Sequence, residues 1–148
     1  MSFFGDIFGG KAAQAAANYN AKIMERNAKI KEQEAEQIMS VHNNYNLPKF
    51  DRTIEQIQGQ TTVAYLSGGV TYSGTVVDAL YAQELELQTD RDIMTYNAEN
   101  ARDQKENEAI QLRADADLSR WRGKVAKKAS YYAAGQSLLS TASMFMPT

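Results

Sequence analysis

The chain contains no cysteine, which excludes disulfide cross-links and thiolate zinc sites. It has one histidine, His42, so any metal motif built on two imidazoles is excluded as well. Prolines occur only at 48 and 147, leaving a run of about a hundred residues free of the strongest helix breaker. No stretch of about 20 strongly apolar residues is present, so an ordinary membrane span is not expected. The first ten residues lack a basic region and an uninterrupted apolar core, so a cleaved signal peptide is not expected either. Neither sign of charge dominates: 16 Lys+Arg oppose 18 Asp+Glu, a net −2. That argues against wrapping duplex DNA with the whole surface, which needs a basic face. At 148 residues, one domain is the starting expectation.

What is present reads as long helices. Residues 11–46 open with Lys11 and a run of good helix formers to Ala17. Ala16, Ile23, Ile30 and Gln37 recur at seven, with Asn20, Asn27 and Glu34 interleaved. This thin stripe cannot stabilise a helix alone and calls for neighbours. Glu32, Glu34 and Glu36 read as a solvated face. Asn43 to Pro48 should end or kink the helix, because proline disfavours helical geometry at Leu47. Helix resumes around Asp51 or Thr53, with Ile54, Ile57, Thr61 and Ala64 as its apolar face.

The segment from Gly68 to Thr75 is the clearest turn. Gly68 and Gly69 can take the left-handed conformation that ends a helix, and Ser73 or Thr75 can cap the next one, with Asp78 in its first turn. A short β-hairpin around Gly68 and Gly69 is the alternative. Val76 to Phe145 then reads as one helix with only Gly123 and Gly135 to bend it, roughly 100 Å at 1.5 Å per residue. The expected fold is all-α: an elongated helical hairpin of two long helices, oligomeric, with coiled-coil character. It divides into an apolar N-terminal segment and first arm (1–67, kinked near 48), a turn (68–75), and a long second arm (76–148).

Charge is uneven along the second arm. Residues 84–117 carry ten acids and four bases, net −6; residues 120–128 carry five bases and no acid; residues 129–146 carry no charge. Chemistry is sparse. His42 lies in an Asn-rich stretch and reads as an exposed surface residue. No Gly-x-Ser-x-Gly elbow exists, the glycine turn is not followed by the Lys-Ser/Thr of a phosphate loop, and the carboxylates fit no metal pattern. No catalytic, cofactor or metal residue is expected.

Two other constellations stand out. Arg120, Trp121, Arg122, Lys124, Lys127 and Lys128 precede Tyr131, Tyr132 and the uncharged segment, the order found at a membrane interface. They could face lipid headgroups, DNA or an acidic patch on a neighbouring subunit. The small residues of the last segment suit close helix packing equally well. At the other end Phe3, Phe4, Ile7 and Phe8 fall on one helical face. In a hairpin they would join Leu138, Leu139, Met144, Phe145 and Met146 in one apolar tip that contacts a bilayer or a partner.

In its order of features the chain resembles the smallest internal virion (core, or ejection) protein of T7-like short-tailed phages. A Gly/Ala-rich apolar start leads into an Ala/Asn/Gln/Glu helix from Ala12 to Gln37. The turn from Gly68 to Thr75, Asp78-Ala-Leu, the stretch from Ile93 to Ala98 and a small-residue C-terminal segment follow. Related chains are often longer, with a polar tail absent here. The resemblance implies a non-enzymatic protein packed in the virion interior near the portal, then released into the host envelope to help form a conduit for DNA. It implies no cofactor. Its partners would be further copies of itself, other core or portal proteins and the host membrane, with any DNA contact independent of sequence. A structural connector, neck or tail component with no membrane phase is the alternative.

Overall fold

The computed structural model describes residues 3–69 and 74–145, without the side chains of Phe3 and Thr75. The described chain is helical apart from its turn residues and Phe145, with no strand among the described residues. Helix α1 runs Phe3–Val41, a π-turn follows at His42–Asn46, α2 runs Leu47–Ser67 and α3 runs Thr75–Met144. The all-α expectation and the two long helices are therefore observed, and the described residues around Gly68 form a helix–turn–helix and no hairpin of strands.

Pro48 does not end the helix. It has no N–H, and its ring would crowd the carbonyl one α-turn back. The backbone answers with a wider turn: the Leu47 N–H reaches the His42 carbonyl, five residues back, and Leu47 keeps helical angles (φ −62°, ψ −50°). The extra residue changes the phase. Buried positions Ala35 and His42 are seven apart, whereas after the π-turn the half-buried Leu47, Ile54 and Thr61 follow a new sevenfold register.

At the end of α2 the Gly68 N–H bonds to the Ala64 carbonyl (3.1 Å) and the Gly69 N–H to Leu66 (3.2 Å). Gly69 (φ +79°) and Gly74 (φ +55°) supply the left-handed residues, while Gly68 stays at φ −78°. The Asp78 N–H bonds to the Gly74 carbonyl (3.0 Å) as α3 opens. The expected Ser73 or Thr75 cap lies outside the described residues and side chains.

The chain forms two compact units, residues 1–32 with 107–148 and residues 33–106. In the first, the start of α1 and the end of α3 run antiparallel along a seam of very small residues. Ala21 and Ala28 on α1, and Ala109, Ala116 and Gly123 on α3, recur at seven and are buried. The backbones all but touch. A Cβ placed on Gly123 would lie 2.7 Å from the Ala17 Cβ and 3.3 Å from the Gln14 Cα, and Gly10 packs as tightly against Ser130. Close approach also lets side chains reach the opposite main chain: the Ser119 hydroxyl donates to the Ala17 carbonyl (3.0 Å) and Ser130 donates to the carbonyl of Asp6. The sevenfold stripe expected to pack, Ile23 and Ile30, is instead 40% and 42% exposed.

The second unit uses larger and more polar groups. Val76 is buried, and Ile38, Phe50, Ile54, Ile57, Leu80, Leu87 and Met94 are half-buried. Its antiparallel register is marked by side-chain pairs: Lys105 to Glu34 (3.0 Å), His42 to Thr95 (3.1 Å), Arg91 to Asp51 (2.8 and 3.4 Å) and Gln83 to Thr61 (3.2 Å).

Candidate functional site

The first unit carries most residues singled out by their chemistry. Its N- and C-terminal segments are brought together where the Ser137 hydroxyl donates to the Asp6 carboxylate (3.5 Å) and Ser130 reaches the Asp6 carbonyl. Phe4 and Phe8 stand 68% exposed, while Ile7, expected on the same face, is half-buried and turns towards the seam. Leu138, Leu139, Met144 and Phe145 are all exposed. The side chain of Phe3 and the whole of Met146 lie outside what is described. Six large apolar side chains expected at this end, Phe4, Phe8, Leu138, Leu139, Met144 and Phe145, are therefore exposed.

The basic cluster divides. Arg120 is engaged within the chain, 2.6 Å from Glu25 and 3.2 Å from Asp117, and the Glu25 hydrogen bond raises its pKa further. Arg113 forks onto Glu32, with Nη2 2.9 Å from Oε2, and this contact holds the Glu32 carboxyl below the usual carboxylate range. Lys31 reaches Glu108 at 3.3 Å. These ion pairs link α1 to α3 within one chain. Among the described residues Arg122, Lys124, Lys127 and Lys128 form no ion pair.

The three lysines of this group border a cleft of about 360 Å³ formed by Trp121, Lys124, Val125, Lys127, Lys128 and Tyr131 with Gln14 of α1. Trp121 is 60% exposed, and the Lys127 ammonium sits 6.0 Å from the centre of the Tyr131 ring. The lysine stems and aromatic faces give an apolar floor with charge at the rim. This arrangement can hold an anionic group or receive a bulky apolar side chain. It contains no nucleophile paired with a base.

His42 departs from expectation. It is only 1% exposed and belongs to the second unit. The Thr95 hydroxyl donates to the Arg91 carbonyl (3.1 Å), so its oxygen accepts from His42 Nε2; Nδ1 is buried and has no partner. Buried between the helices, the ring is out of reach of a substrate. No group of three or more His, Asp or Glu that could hold a metal exists among the described residues, and no described helix is long and apolar enough to cross a membrane.

Besides its seam of small residues, α3 bears a second repeat with alternating steps of three and four: Leu118, Trp121, Val125, Lys128, Tyr132, Gly135 and Leu139. All the large apolar members are exposed. The same spacing on α1 joins Ala12, Ala16, Tyr19, Ile23, Arg26 and Ile30, also exposed. On a helical wheel each repeat lies roughly opposite the buried seam of its own helix. The signal was legible as spacing, but only the location of the seam shows that these stripes face outward. Comparison with protein-family models, curated proteins and solved structures finds no match.

Proposed function

We propose that this chain is a non-enzymatic internal virion protein of the ejection type, packed with further copies of itself near the portal and released to help carry the genome across the host envelope. The observation that carries this reading is the end of the first unit, where exposed Phe4, Phe8, Leu138, Leu139, Met144 and Phe145 accompany Arg122, Lys124, Lys127 and Lys128, which form no ion pair among the described residues. Apolar side chains beside aromatic residues and a basic belt suit a surface that settles into a bilayer interface without crossing it. Each cation near an anionic membrane adds about 1 kcal/mol of attraction. The resemblance in feature order to the ejection proteins points the same way, and other core or portal proteins would be its neighbours before release.

A connector role with no membrane phase is favoured by a different observation. Ser130 and Ser137 place the uncharged C-terminal segment against α1, which is a packing role. Flotation with anionic vesicles separates the two. The ejection reading expects the protein to float, Phe4→Ser with Phe8→Ser to abolish flotation at unchanged helicity, and Gln at Arg122, Lys124, Lys127 and Lys128 to weaken it on anionic vesicles only. A helical, assembled protein that stays at the bottom of the gradient rejects the ejection reading and supports the connector.

A further inference from the structure

We infer that the outward stripe of α3 docks onto the outward stripe of α1 in a second copy of the same chain, head to tail, so that copies related by rotation close a ring. This deepens the self-assembly part of the proposed function and uses neither its virion nor its membrane part. The first unit buries alanines, two glycines and serine stems. Such a seam fixes geometry but covers little apolar surface, while the larger side chains Leu118, Trp121 and Val125 on α3 and Tyr19 and Ile23 on α1 remain in water. Steps of three and four are the spacing by which one helix packs on another.

Register then selects the partner. Gly10 stands level with Ser130 and Ala17 with Gly123. In a ring whose axis runs along the helices, neighbouring copies share these levels. Trp121 of one copy then meets Tyr19 of the next, Leu118 meets Ile23, and Val125 meets Ala16. The cations within the stripes also find room, since Lys128 is level with Ala12 and Arg26 with Ala114, so their stems can lie over a methyl group while the charge reaches water. The cleft beside Trp121, Val125 and Lys128 offers a hollow for the incoming side chains of α1. A two-fold contact of α3 on α3 would cover one stripe per copy and leave that of α1 bare. The head-to-tail contact covers both.

The absence of native cysteine makes the test direct. Ala16→Cys and Val125→Cys are prepared as single variants and combined in one chain, then mildly oxidised and run on a non-reducing gel. An equimolar mixture of the two single variants should give a covalent dimer far faster than either alone, because a disulfide needs Cα atoms within about 7 Å. The double variant should give a ladder that ends in a closed species. Ile23→Cys with Leu118→Cys repeats the experiment at another level should the first pair fail to fold by circular dichroism. Rapid dimerisation of the Val125→Cys variant alone means a two-fold contact and overturns the inference. Oligomers in sedimentation equilibrium with no mixed cross-link at either level also overturn it, while leaving self-assembly intact. A monomer at all concentrations overturns both.

Discussion

The contact around Ala17 and Gly123 and the contact around His42 and Thr95 each join antiparallel helices, by opposite means. The first removes side chains until two backbones meet, and a serine hydroxyl can then bond to the opposite carbonyl at 3.0 Å. The second keeps a ring between the helices, satisfies one nitrogen through Thr95 and leaves Nδ1 buried without a partner. The difference teaches which change each contact tolerates. A seam of small residues is sensitive to added volume, because its neighbours are main-chain atoms that cannot rotate aside. A contact held by a large side chain is sensitive to lost volume, because a void remains where the ring stood.

The largest effect should come from violating the first rule. Gly123→Leu forces the helices apart at Gln14 and Ala17 and should cost about 3 kcal/mol or more, read as a lower urea midpoint. Gly123→Ala should also destabilise despite the better helix propensity of alanine, since its methyl would sit 2.7 Å from that of Ala17. Next comes the second rule. His42→Ala should cost about 2–3 kcal/mol through the cavity and the bond lost to Thr95. His42→Leu, which refills the space and removes the orphaned Nδ1, should cost less than about 1.5 kcal/mol. If the two substitutions prove equal, the ring is held by its hydrogen bond and not by its volume.

A smaller effect of opposite sign sharpens the comparison. Gly59 lies within α2, and a Cβ added there meets nothing within 4 Å. Gly59→Ala should therefore stabilise by about 1 kcal/mol, raising the melting temperature by a few degrees. One substitution type thus reports backbone contact at position 123 and its absence at position 59. The smallest effect concerns charge. Arg113 and Arg91 hold the carboxyls of Glu32 and Asp51 below the usual carboxylate range, chiefly through hydrogen bonds. Stability from these pairs is present above the ordinary carboxylate pKa and lost as pH falls through the lowered folded value. Both pairs stand in water, so the change is modest and fades with salt. Urea midpoints of Arg91→Gln and Arg113→Gln should fall less steeply on acidification than those of the parent.

Much of the local structure was legible in the chain. Helix-forming residues with few breakers dictate α1, α2 and α3, and the glycines after Ser67 dictate the turn. Pro48 marks the place where the helix is expected to end or kink, and a π-turn there absorbs the missing N–H so that the helix continues. The basic cluster was visible as five charges. That Arg120 is neutralised by Glu25 was not, because the two residues are far apart in sequence and meet only across the seam.

The seam itself marks the division. By itself the sequence determined that the helices form and that stripes recur every seven residues, because backbone propensity and periodicity are local properties. It did not say which stripe lies inside. Hydrophobicity favours Ile23 and Ile30, yet Ala21 and Ala28 are buried and the isoleucines face outward. The same period of seven serves both stripes, so spacing cannot choose between them. Tertiary structure chose through the opposite helix: Ala109, Ala116 and Gly123 present a surface so flat that only other small residues can approach it at backbone distance. Steric fit between segments remote in sequence therefore decided which residues hold the chain together and which stay exposed.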